Sequence, residues 1–280
     1  MKNALTIDVE DYFQVAALAP WAPYESWDSF PLRVENNTQK ILDTLSEKNI
    51  RATFFVLGWV AERCPTIVNQ IVERGHELGC HGYSHQLIYK QTPAVFREET
   101  LKSKQLLEDI GGVEVKGYRA ASYSVTNESL WALDIIAEAG FKYDSSIFPV
   151  KHDRYGIPDA EELPHRLATP AGHEIVEFPI TALRLGNYKL PIAGGGYFRL
   201  FPYWFSKWGL SRVNRRQQQA FIFYLHPWEL DPEQPALPAT GLSKFRHYNN
   251  LDVCEKRFRQ LLDDFDLCAV EDILANQQLL

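Results

Sequence analysis

The sequence predicts an α/β fold, an incomplete and deformed (β/α)7 barrel, and three observations carry that expectation. Short apolar runs alternate with segments of helical periodicity along the chain, which is the pattern of β-α-β units. No Gly-rich phosphate loop follows the first apolar run, which disfavours an open, doubly wound sheet. At 280 residues the chain is barrel-sized and short for two full domains.

The elements follow in order. Ala4 to Asp8 reads as the first strand and leads into a long aromatic loop ending near Pro31; Ile41, Leu42 and Leu45 then fall at helical spacing. Arg51 to Leu57 is a fully buried strand, and Ile67, Val68, Ile71 and Val72 mark a helix closed by Gly75. A short strand, Glu77 to Cys80, precedes a charged helix from Pro93 to Ile110, ended by Gly111-Gly112. Val115 to Tyr118 reads as a strand, Asn127 to Ala139 as a helix with Asn127 as its N-cap, and Phe141 to Tyr143 as the next strand. Pro and Gly blur the pattern from Lys151 to Pro191, although Glu174 to Ile180 looks like a strand. Ala220 to Leu225 is a buried strand, Leu251 to Leu262 a helix and Leu267 to Val270 a last strand. The expected organisation is one domain over 1–280, about seven parallel strands in all.

Bulk composition excludes several functions. With 45% hydrophobic and 23% charged residues the chain can bury most of its surface, so it is not disordered. A net charge of −7 leaves no whole-chain footprint for nucleic acid, although Arg212, Arg215 and Arg216 form a local basic cluster. No stretch approaches the roughly 20 apolar residues of a membrane span, and Met1-Lys2-Asn3 runs into a strand rather than a signal segment, so the chain is expected to be cytoplasmic. Cys64, Cys80, Cys254 and Cys268 lack C-x-x-C spacing and read as buried free thiols. Aromatic residues make up 13% of the chain, with Trp21, Trp27, Trp204, Trp208 and Trp228 in apparent loops, where flat rings suit core packing or sugar faces.

Barrel enzymes carry their chemistry where strands end, so the ionisable residues there are the candidates. The first strand ends in Asp8-Val9-Glu10-Asp11, the third in His81-Gly82-Tyr83-Ser84-His85, the next two in Arg119 and Asp144, and Ala220 to Leu225 ends in His226. A lone strand-end Asp or His is usually a cap or a solvated group. Coincidence at five strand ends is a stronger signal. His81 and His85, four apart, share a face if the segment makes a helical turn, and one carboxylate completes a three-ligand metal site with open positions. Strand alternation puts Asp8 and Glu10 on one side, with Asp11 just beyond. One acid can bind metal while another acts as base, and a metal with open sites brings the pKa of bound water toward about 7.

His226 is placed to protonate a leaving amine, Arg119 to hold a neighbouring carboxylate ionised, and Asp144 to fix the tautomer of His226. A serine hydrolase is disfavoured because no G-x-S-x-G elbow is present. A glycosidase using Glu177 and Asp8 would leave the paired histidines unexplained.

These residues resemble the NodB-type polysaccharide deacetylases of carbohydrate esterase family 4 over nearly the whole chain. T-I-D-V-E-D at Thr6, H-G-Y-S-H at His81, G-Y-R-A-A-S-Y at Gly117, Y-D-S-S at Tyr143 and Y-L-H-P-W-E at Tyr224 match the family's five motifs in order. The resemblance implies Asp8 as base, Glu10 or Asp11 with His81 and His85 as ligands of a divalent metal, zinc expected, Arg119 bracing the base, and His226 as general acid. It implies hydrolytic removal of acetyl groups from N-acetylhexosamine units of an oligosaccharide or polysaccharide, with the backbone N–H of Tyr123 a candidate oxyanion donor. Trp27, Tyr123, Tyr197 and Trp228 are the candidate sugar-stacking residues.

The segments E-F-P-I-T at Glu177, G-G-G-Y-F-R-L-F-P-Y at Gly194 and F-R-H-Y-N-N-L at Phe245 are similar to the branch linked to exosortase systems, which implies exopolysaccharide biosynthesis and a branch-specific part from about 190 to 280. Two departures stand out: the family's adjacent Asp-Asp is Asp8-Val9-Glu10-Asp11 here, and Ala121 stands where Pro is common. Relatives with spaced acids include hydrolases of cyclic amides. A catalytically silent glycan-binding protein is the third reading.

Overall fold

The computed structural model describes residues 1–152 and 154–280. Its strands are β1 (Asn3–Val9), β2 (Thr53–Val56), β3 (Glu77–Cys80), β4 (Gly117–Tyr118), β5 (Tyr143–Asp144), β6 (His165–Ala168), β7 (Glu174–Glu177), β8 (Ala182–Leu185), β9 (Tyr188–Pro191), β10 (Ile222–Leu225) and β11 (Leu267–Cys268). Among the described residues, eight strands run parallel, seven in the order β10-β1-β2-β3-β4-β5-β7 and β11 paired to the start of β1, with β6 antiparallel at one edge. No ladder joins β10 back to β7 among them, so the sheet is a curled, unclosed barrel, the expected fold class.

Alternation along the strands makes two apolar layers. Leu5, Ile7 and Val9 of β1 join Phe54, Val56, Phe223 and Leu225 beneath the helices. Ala4, Phe55, Ile222 and Tyr224 pack inside the curl. Each fully buried large apolar side chain in these layers contributes on the order of 1.5–3 kcal/mol. Consequently the even-numbered residues at the end of β1 point into the curl, and the polar ones among them sit at its rim.

The helices start and stop where local chemistry dictates. Val34–Lys48 ends at Asn49 in the left-handed conformation, φ 53°. Pro93–Gly111 begins with Pro at its first position and with the Thr92 hydroxyl accepting from the Val95 N–H, and it stops at Gly112, φ 65°. No helix among the described residues is long and apolar enough to cross a membrane.

Three expectations need correction. The helix expected from Asn127 starts at Trp131, because the Ser129 hydroxyl takes the Thr126 N–H and holds 126–130 as a turn. The blurred region contains two hairpins: β6 pairs with β7, and Gly186-Asn187 is a two-residue turn between β8 and β9, a recognisable hairpin signal that the surrounding Pro and Gly obscure. Trp204 and Trp208 lie on the helix Tyr203–Arg216, whose buried face of Ser206, Gly209, Leu210 and Val213 has helical spacing, so they are not loop residues.

Candidate active site

Asp8 and Glu10 emerge from β1 on the inner side, as the strand period requires, and both line a cleft of about 780 Å³ at the strand ends. Asp11 turns away. One of its oxygens accepts from the backbone N–H groups of Arg33 (2.7 Å) and Val34 (2.9 Å) at the start of the helix Val34–Lys48, and the other from Tyr12 N–H (2.8 Å). That carboxylate is committed to otherwise orphaned helix amides, so the structure does not bring it to the site.

His81 follows β3, and the chain then turns through two left-handed residues, Gly82 (φ 75°) and His85 (φ 51°), rather than through a helical turn. The two imidazole centroids lie 5.2 Å apart. Because the Arg119 carbonyl can only accept, the contact of His81 Nδ1 with it at 2.8 Å puts the proton on Nδ1 and leaves Nε2 a lone-pair donor. Glu10, His81 and His85 offer ligand atoms all within 4.8 Å of one another. Burial lowers His81 to about 4, which keeps it neutral. Burial disfavours the Glu10 carboxylate, yet the neighbouring His85, His226 and His81 outweigh it and hold Glu10 well below the usual carboxylate range. Glu10 Oε2 is buried without a hydrogen-bond donor although His85 Nε2 lies 2.8 Å away. Two imidazoles, an ionised carboxylate and this orphaned oxygen fit a divalent metal.

Asp8 is fixed by Arg119, whose Nη1 donates to Oδ1 at 2.7 Å. The guanidinium also donates to Thr6 Oγ1 and to the Ser145 carbonyl and hydroxyl, and it lies 4.3 Å above the Phe55 ring, so its position is overdetermined. His226 stands opposite, with Nε2 3.6 Å from Glu10 Oε1 and 4.0 Å from Asp8 Oδ2.

The expected partner of His226 is corrected. Its Nδ1–H donates to Glu229 at 2.7 Å, and the other Glu229 oxygen accepts from Arg199 Nε at 2.6 Å. Asp144 instead accepts from the Ser146 hydroxyl and N–H and lies beside Glu177, and burial, with Glu177 also feeling the charge of Asp144, raises both acids. This also ties up the Glu177 that a glycosidase would need. For His226, burial acts against the charged form, but the carboxylates of Glu10, Glu229 and Asp8 lift it to about 9. Glu229 falls to about 2: burial opposes this, and Arg199 and His226 overcome it.

The four aromatic candidates separate. Trp27 is buried in a ring cluster with Phe13, Tyr24 and Trp59 and does not line the cleft; it is core. Trp228 is buried, stacked against His226 and His247, and donates its indole N–H to Glu10 Oε1 at 3.0 Å, so it braces the site and has little ring left for a sugar. Tyr123 and Tyr197 both line the cleft. Tyr123 is left-handed (φ 54°), and its N–H donates to the Ala120 carbonyl at 3.1 Å, which removes it as an oxyanion donor in this conformation. Glu229 and Arg199 do not stand out as site residues in the sequence. Glu229 had a signal: H-P-W-E places an acid three residues after a strand-end residue, the spacing of a capping box.

With this geometry in hand, the likenesses to known proteins become specific. Residues 24–143 match the family described as polysaccharide deacetylase, and residues 145–275 match a domain of unknown function, DUF3473. A peptidoglycan-N-acetylglucosamine deacetylase of Bacillus cereus is 31% identical over 148 residues, 49% of this chain and 52% of that protein. A peptidoglycan deacetylase of Helicobacter pylori is 32% identical over 111 residues, 39% of this chain and 36% of that protein. The chain thus spans about half or less of the length of these curated relatives. In fold it is similar to a polysaccharide deacetylase structure from Mycobacterium smegmatis (TM-score 0.63, 19% identity, 98% of this chain and 88% of that one). It is also similar to an allantoinase structure (TM-score 0.60, 15% identity, 96% and 87%).

Proposed function

From the premise that this chain carries a polysaccharide deacetylase domain of the NodB, carbohydrate esterase family 4 type, we propose that it hydrolyses the N-acetyl groups of amino-sugar units in a glycan. The observation that carries the proposal is the meeting of a metal-type donor set, Glu10, His81 and His85, with Asp8 and His226 on one cleft floor.

Glu10, His81 and His85 would hold the metal, zinc expected; when bound, it supplies Lewis acidity and a water of lowered pKa. The protein does the rest by position and proton transfer. Asp8, fixed by Arg119, takes the proton of the attacking water, and the imidazolium of His226, aligned by Glu229, gives one to the departing nitrogen. Acetate and a free amine result, with water consumed. Tyr123 and Tyr197 line the space for the sugar.

An exopolysaccharide or its precursor is the proposed glycan, a cytoplasmic location belongs to the same proposal, and the domain is proposed to run over 1–280 with a branch-specific part from about 190. The fold likeness to an allantoinase, together with the spaced acids of Asp8-Val9-Glu10, supports hydrolysis of a cyclic amide as the second reading. Acetate release from N-acetylated oligosaccharides, measured beside ring opening of cyclic amides and with and without a chelator, decides between them. Ring opening without acetate release would replace the first reading by the second.

A further inference from the structure

The helix Tyr203–Arg216 takes no part in the cleft chemistry, yet its solvent face is unusual. Trp204 is 69% exposed, and Trp208, one turn on, is 44% exposed. A continuous run of ring contacts joins this face to the cleft. Tyr197, in the cleft, lies 6.3 Å from Phe201, Phe201 lies 5.0 Å from Phe205, and Phe205 lies 5.8 Å from Trp204 and 5.4 Å from Trp208. At the cleft mouth Leu200, Leu242 and Phe245 extend the strip, Leu242 and Phe245 being 59% and 51% exposed.

Past Trp208 the strip has a positive edge. The Arg212 guanidinium lies 6.0 Å from the Trp208 ring, and Arg215 and Arg216 are exposed with no ion pair among the described residues. Lys207, on the same helix, is neutralised by Asp264. Three arginines on one helical stretch contrast with a chain whose net charge is −7.

Flat rings alone would suit a sugar, but the exposed aliphatic side chains Leu200 and Leu242 have no stacking face to offer one. Aliphatic groups, tryptophans and arginines side by side are the composition that settles at a membrane–water interface, with rings at headgroup depth and guanidinium groups reaching phosphates. We propose that this strip is a docking face for an anionic lipid bilayer and that it sets the cleft mouth against the membrane surface.

The test is sedimentation of the whole chain with phosphatidylcholine vesicles, with and without a quarter of phosphatidylglycerol. The chain should bind the anionic vesicles, less so the neutral ones, and less as salt is raised. Trp204→Ser with Trp208→Ser should abolish binding, and Arg215→Gln with Arg216→Gln should weaken it roughly fivefold per arginine. Both pairs should keep the wild-type circular dichroism and melting temperature and their turnover of a soluble substrate, because these side chains lie outside the cleft. Absence of wild-type binding to either vesicle, or full binding by the tryptophan variant, would overturn the proposal. Loss of turnover on a soluble oligosaccharide by the tryptophan variant, with vesicle binding intact, would make the strip a glycan platform instead. The readout needs no turnover, and Asp8→Asn protein should bind equally, so failure of the proposed reaction is distinguishable from failure of docking.

Discussion

Replacing Glu229 by Gln isolates the electrostatic support of the proposed acid. Glutamine keeps an oxygen that can accept from His226 Nδ1–H, but it removes the charge 2.7 Å from the ring. His226 stands at about 9 against an ordinary 6.5, a preference for the imidazolium of roughly 3 kcal/mol. Glu10 and Asp8 share that pull with Glu229, so losing the whole of it is the ceiling for the variant. The reacting form is the protonated one, so activity is lost as pH rises through the His226 pKa, and a lower pKa moves that loss to lower pH. At pH 8 an acid of pKa about 9 is roughly 90% protonated, whereas at 6.5 it is about 3%; Glu229→Gln should therefore cost up to about thirtyfold at pH 8 and little at pH 6. The assay is the pH dependence of kcat/KM on an N-acetylated oligosaccharide. Arg199 loses its carboxylate but keeps the carbonyls of Arg246, His247 and Asn249, so a melting curve should show a folded, less stable protein. An alkaline limb that stays in place in the folded variant would refute the assignment of His226 as acid or of Glu229 as its support.

Other substitutions separate the remaining roles. Asp8→Asn should retain bound zinc and lose about 10²-fold or more in turnover, while Glu10→Gln should lose the metal; elemental analysis beside acetate release reads both, and the reverse pattern exchanges the two roles. His81→Ala with His85→Ala should abolish metal content and activity together while circular dichroism shows an intact fold. Asp11→Asn should leave metal content unchanged and lower stability by about 1 kcal/mol through weakened helix-start hydrogen bonds, measured by denaturant unfolding. His226→Ala should slow amide hydrolysis strongly but hydrolysis of an aryl acetate much less, because a phenolate leaves without a proton; equal losses would assign His226 to binding or structure.

The readable part of the fold is the part set by periodicity. Thr53 to Val56 and Ile222 to Leu225 are buried on both sides, so their apolar runs announce strands without regard to partners. The hairpins between Lys151 and Pro191 escaped because their strands are half exposed and interrupted, and their pairing is fixed by the tight turn at Gly186-Asn187 and by the edge of the sheet rather than by local pattern. The tryptophans of Tyr203–Arg216 misled for a related reason: aromatic residues flanked by Pro202 resemble a loop, and only the buried small and aliphatic face reveals the helix.

The site was legible by the same rule and obscure where the rule ends. Strand alternation put Asp8 and Glu10 on one side, and that much the cleft reproduces. Asp11 lies two residues beyond the strand, where period two no longer holds, and helix amides 22 and 23 residues away decide its direction. The partner of His226 was sought at a strand end, since the barrel gathers strand ends; it came instead from the same short turn, with Arg199 reaching across from another helix. An acid three residues away is held by local geometry alone, whereas Asp144 would have had to abandon Ser146 and Glu177 to reach the ring. Placing the tuning carboxylate on the acid's own turn makes the alignment of His226 independent of the separation between β5 and β10.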